Sequence, residues 1–75
     1  MTQHLNYTVI LEKETTSYGA YVPDLPGCVA VGETQPEVLQ LIHEAIVFHL
    51  EDLQSRGNVI PEPYSTSTAL EIAIA

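Results

Sequence analysis

The chain has no tryptophan, a single cysteine and only two basic side chains among its 75 residues, and each shortage excludes something. One cysteine, Cys28, cannot close an internal disulfide, which fits a reducing compartment better than a secreted one. Lys13 and Arg56 stand against ten acids, for a formal net charge of −8. Phosphate backbones are held by clustered Lys and Arg, so direct nucleic-acid binding is not expected. The opening "MTQHLNYTV" lacks the basic and apolar blocks of a signal peptide. No apolar run approaches the roughly 18 residues of a membrane span. These absences together lead us to expect a soluble, cytoplasmic protein.

The length allows one domain, residues 1–75, with a core too small to be more than marginally stable alone. Oligomerisation or a partner is the expected source of extra stability, since neither a disulfide nor a metal cluster can staple the fold.

Residues 6–12, "NYTVILE", alternate Tyr7, Val9 and Leu11 with Thr8, Ile10 and Glu12 and read as a strand. "KETTS" (13–17) is a polar turn, "YGAYV" (18–22) a returning strand and "VAVG" (29–32) a third. Then the period lengthens. Thr34 and Glu37 form a Thr-x-x-Glu capping box, with Pro36 tolerated in the first turn. A helix is expected from Gln35 to Arg56, stopped by Gly57. Val38, Leu39, Ile42, Ala45, Ile46 and Leu53 fall on its apolar stripe. "TALEIAIA" (68–75) alternates again and reads as a fourth strand. The expected fold is α+β in βββαβ order: a three-stranded antiparallel meander, one helix on one sheet face, and a fourth strand parallel to the first after a right-handed crossover. Thr8, Ile10, Tyr21 and the alanines are expected on the uncovered face, and "EIAIA" as an apolar edge in need of cover. A homodimer or larger homo-oligomer through that edge or face follows.

The chemistry-bearing residues concentrate in "YVPDLPGC" (21–28). Pro23 suits a strand end, and Pro26-Gly27 supplies the two dihedral classes of a type II turn. Asp24 is placed to accept nearby backbone N–H groups. Pro23, Asp24, Pro26 and Gly27 thus read as a structural turn rather than a catalytic loop. Cys28 beginning a strand is read as a small buried hydrophobe. His43 and His49 are six apart, about 120° around a helix, which does not make a zinc pair; His49 is read as a core histidine. On the helix flank, Leu41 and Phe48 lie beside Glu44, Glu51 and Asp52, a mixture suited to a basic protein partner, with Asp24 on a nearby rim. No catalytic motif, cofactor loop or metal-ligand set stands out, so neither enzyme activity nor a cofactor is expected.

"YGAYVPDLPGCVAVGET" (18–34), the acidic-faced helix and the exit "GNVIPEP" (57–63) together resemble the HicB-like antitoxin family over most of the chain. The resemblance implies a partly degraded ribonuclease-H-like fold. It also implies an antitoxin that binds and blocks a small basic HicA-type toxin, itself similar to double-stranded-RNA-binding domains and cleaving mRNA. A charge of −8 suits competition with phosphate for such a toxin's surface. Many family members carry a C-terminal DNA-binding domain, which is not expected here. Active ribonuclease H enzymes gather acids from the first strand, the helix and the fourth strand; residues 7–11, "YTVIL", hold none. A self-associating regulatory or ligand-binding domain is the alternative reading, and a metal-dependent nuclease the more distant one.

Overall fold

The computed structural model describes residues 4–75. Its regular elements are β1 (Ile10–Lys13), β2 (Tyr18–Tyr21), β3 (Val29–Gly32) and α1 (Gln35–Ser55). The strands pair antiparallel in the order β1-β2-β3. A tight turn, with the Glu14 N–H donating to the Ser17 carbonyl at 2.9 Å, joins the first two. Ile10, Tyr21 and Val29 stand in one cross-strand row, and Leu11, Ala20 and Ala30 in the next. Because strand side chains alternate between faces, these rows belong to opposite sides of the sheet.

The helix covers the side bearing Ala20 and Ala30. Ala20, Val22, Leu25, Cys28, Val38 and Ile42 form the buried core, with Tyr7, Val9, Tyr18, Ala30, Ala45, Ile46 and Leu50 packed around it. The two sheet alanines therefore face the helix, not the open side as expected from the sequence. Their small side chains let a helix lie close. Gly32 carries this furthest: a Cβ there would lie 3.0 Å from the Val38 nitrogen and 3.2 Å from its Cα. The helix crosses β3 and β2 but makes no packing contact with β1.

Both helix ends are chemically specified. The Thr34 hydroxyl accepts the Glu37 N–H at 3.2 Å, and the Glu37 carboxylate accepts the Glu33 N–H at 3.3 Å. At the other end Gly57 has φ +74°. The Gly57 N–H donates to the Gln54 carbonyl and the Asn58 N–H to the Leu53 carbonyl. This is a Schellman stop, and the left-handed residue is the glycine that pays no Cβ penalty for it. The helix ends one residue earlier than expected, at Ser55.

Two strand expectations are corrected. The first strand pairs only from Ile10, so residues 4–9 lie outside the ladder. The fourth strand, residues 68–75, does not form in the single chain: residues 58–75 hold no regular structure and 66–75 are all exposed. Alternation alone does not make a strand, because an unpaired extended segment leaves its backbone groups to water. The molecule is long, 53 × 26 × 21 Å. Its radius of gyration is 14.6 Å, against about 11 Å for a compact chain of this length.

Candidate functional site

The proline-rich loop between β2 and β3 is built of two stacked turns. The Leu25 N–H donates to the Val22 carbonyl at 3.0 Å, and the Cys28 N–H to the Leu25 carbonyl at 3.1 Å. Gly27, at φ +84°, takes the position that a type II turn reserves for a positive φ. The Val22 N–H closes the loop onto the Cys28 carbonyl at 3.2 Å. These bonds turn Val22, Leu25 and Cys28 inward, so a surface connection supplies half of the buried core. Leu25 is completely buried.

Asp24 has a different task from the local turn contact expected. Its carboxylate is buried and reaches across to the C-terminal segment. It accepts the Tyr64 N–H at 2.9 Å, the Ser65 N–H at 3.0 Å and the Ser65 hydroxyl. Burial opposes its ionisation, but the hydrogen bonds from the Ser65 hydroxyl, the Ser65 N–H and the Tyr64 N–H outweigh that and hold the carboxyl below its ordinary 3.8. The Tyr7 hydroxyl donates to the Pro61 carbonyl, and the Thr8 hydroxyl donates to the Ser65 carbonyl. Burial, then the carboxylates of Glu62 and Asp24, push the Tyr7 phenol above 10.0. The exit at 61–65 is thus clamped between the loop and the start of the first strand, and Asp24 is not free to serve as a partner rim.

Cys28 is buried, and burial pushes its thiol up, away from the thiolate that a nucleophile needs. His49 is half-buried and His43 exposed. Among the described residues no three His, Cys, Asp or Glu side chains come together as a metal site, and no helix is long and apolar enough to cross a membrane.

Two surfaces remain. On the outward side of α1, Leu41, Glu44, Phe48, Glu51 and Asp52 recur at three- and four-residue spacing, which places them on one helical face. All five are exposed, and Phe48 is 76% accessible. Phe48, Glu51, Asp52 and Ser55 line a shallow depression of about 290 Å³. The single cation on the helix side, Arg56, pairs with Asp52 at 3.2 Å, leaving Glu44 and Glu51 uncompensated by any described ion pair. The second surface is a larger open groove of about 810 Å³ between α1 and residues 4–9, lined by Tyr7, Val9, Leu39, Ile42, Ile46 and Leu50 among others. It lies beside the segment that leads into β1, and no β1 residue lines it. The apolar stripe does not single out this groove: Leu39, Ile42 and Ile46 belong to both, whereas Leu50 lies outside the stripe expected from the sequence.

A family model described as the HicB-like antitoxin of a bacterial toxin-antitoxin system matches residues 7–72. A UPF0150 protein of Helicobacter pylori is 44% identical over 67 residues, covering 88% of this chain and 93% of its own. A UPF0150 protein of Synechocystis is 43% identical over 61 residues, covering 80% of this chain and 77% of its own. The crystal structure of the N-terminal domain of Burkholderia pseudomallei antitoxin HicB superposes with a TM-score of 0.71 at 36% identity, over 77% of this chain and 69% of that one.

Proposed function

The chain belongs to the HicB-like antitoxin family of bacterial toxin-antitoxin systems, and from that premise we propose that it binds and neutralises a small basic mRNA-cleaving toxin of the HicA type. The observation that carries the reading is the outward face of α1. Leu41 and Phe48 are apolar anchors held in water, and Glu44, Glu51 and Asp52 surround them with negative charge. A surface that binds RNA phosphates is basic, so an acidic face with apolar anchors competes for it on both charge and contact area. Charge steers the encounter, whereas the desolvated aromatic holds the complex. The chain's own Lys13 and Arg56 leave it poorly suited to bind nucleic acid itself. The toxin's substrate is mRNA, so the same reading has the antitoxin act in the cytoplasm, without catalysis of its own.

Rescue of growth tests the reading. Cells expressing a HicA-type toxin are expected to recover when this chain is co-expressed, and to recover poorly with Phe48→Ala or with Glu44→Lys combined with Glu51→Lys. Both changes lie on exposed positions and leave the core intact. Full rescue by both variants would remove the helix face from the mechanism, and failure of the unaltered chain to rescue would remove the antitoxin reading.

A further inference from the structure

We propose that Ser65 is a phosphorylation site at a latch: a phosphoryl group on its hydroxyl drives the exit strap, residues 61–65, off the Asp24 loop and frees the chain beyond it. The proposal is independent of toxin binding. Everything that holds the strap is distant in sequence. Asp24, 40 and 41 positions earlier, accepts the Tyr64 N–H at 2.9 Å and the Ser65 N–H at 3.0 Å, and it also accepts the Ser65 hydroxyl. The Thr8 hydroxyl donates to the Ser65 carbonyl, and the Tyr7 hydroxyl to the Pro61 carbonyl. All but one of these bonds fall on strap backbone, and the exception is the Ser65 hydroxyl. Ser65 is therefore the strap position whose side chain, once modified, acts on the latch itself.

Charge sets the direction of the switch. A phosphoserine carries about −1.5 to −2 at neutral pH and offers acceptor oxygens where the hydroxyl donated. It would stand as an anion against the buried Asp24 carboxylate, and a phosphate set beside an acid disrupts the local contact by repulsion and desolvation. No basic side chain is placed to offset it. Arg56 pairs with Asp52 at 3.2 Å, and Lys13 stands opposite Tyr18, at the end of β2 away from the Asp24 loop. Glu62 adds a further negative charge near Tyr7. Access follows from the same geometry. Ser65 is half-buried, whereas Thr66, Ser67 and Thr68 are exposed and without regular structure. A kinase thus takes the strap in its opened, extended form, and the phosphate keeps it from closing. In that step the γ-phosphoryl of ATP passes to Ser65 Oγ, its bond to the β-phosphate oxygen breaks to leave ADP, and the hydroxyl proton goes to the kinase's catalytic carboxylate. Opening also parts Tyr7 from the strap that carries Ile60, and both residues line the groove beside α1.

Amide hydrogen exchange of the full chain, read by NMR, follows the latch, because Asp24 protects the N–H groups at positions 64 and 65 only while the strap is closed. Ser65→Glu is expected to speed exchange at both positions by more than about tenfold. Ser65→Ala, which removes the hydroxyl bond without adding charge, is expected to speed it less. Amides inside α1 are expected to exchange as in the parent, which separates strap opening from loss of the fold. In an Asp24→Asn background Ser65→Glu is expected to add no more than Ser65→Ala, since the opposing charge is gone. Equal effects of the two Ser65 variants with Asp24 present would overturn the charge latch. Mass spectrometry of the protein isolated from its own cells, in growth and in starvation, is expected to find phosphate on Ser65. Phosphate confined to Thr66, Ser67 and Thr68, or none in either condition, would overturn the modification.

Discussion

Replacing Leu25 by alanine should cost this small domain a large part of its stability, although Leu25 sits in a loop between two prolines. Leu25 is 0% exposed and belongs to a core of six buried apolar residues among those described, of which only Leu25, Val38 and Ile42 are fully buried. Truncating a fully buried leucine removes about 2.7–5 kcal/mol, through lost transfer energy and the cavity left behind. A 75-residue domain has about 4–11 kcal/mol in total, at roughly 0.05–0.15 kcal/mol per residue. At about 4–8 °C per kcal/mol for a domain of this size, even 3 kcal/mol lowers the melting temperature by about 12–24 °C. The assay is thermal unfolding followed by far-ultraviolet circular dichroism. Concentrations must be matched, because any self-association would make the midpoint depend on them. Leu25→Met, which nearly conserves volume, is the control and should cost less than about 1.5 kcal/mol. An ordinary surface position changes stability by no more than about 0.5 kcal/mol. A Leu25→Ala midpoint within about 4 °C of the parent would refute the claim that this loop is core.

Gly32→Ala should lower the melting point measurably, because the new Cβ meets the Val38 backbone at 3.0 Å and the helix must move off β3. The Asp24 clamp should weaken in acid. Its folded carboxyl titrates below the ordinary 3.8, so its contribution is complete above that value and is lost as pH falls through the lower folded value. Asp24→Asn should flatten the acid limb of a stability-against-pH curve; an unchanged limb would separate the clamp from acid sensitivity. Cys28, buried with a raised thiol, should react with a thiol reagent only as fast as the protein opens, whereas rapid labelling of the native protein would contradict its burial.

The parts of the structure most legible in the sequence are those specified by neighbours. Thr34, Glu37 and Gly57 mark the helix because capping is a contact between residues three or four apart. Pro26-Gly27 marks its turn for the same reason, and β3 begins and ends where its short apolar run does. Contacts between distant segments were not legible. Nothing in the pattern around Asp24 tells that its hydrogen bonds run to residues 40 and 41 positions away. Gly32 looks like the end of a strand, and only the helix lying on it shows why a side chain would not fit. The alternation in 68–75 reads as a strand but holds no information on a backbone to pair with, and the segment forms no strand. That Leu41, Glu44, Phe48, Glu51 and Asp52 share one exposed helix face was legible because helical periodicity is local.

The central claim is that the acidic, aromatic face of α1 engages a basic toxin. Its most direct test is titration calorimetry of the full chain with a catalytically inactive HicA-type toxin from the same genome, at low and at high salt. The account predicts a tight complex whose affinity falls with added salt, as exposed charge attraction is screened. It also predicts a loss of roughly 30-fold for Phe48→Ala, the size of a central aromatic anchor worth about 2 kcal/mol. No binding by the folded chain at either salt concentration, or binding that Phe48→Ala leaves unchanged, would contradict it.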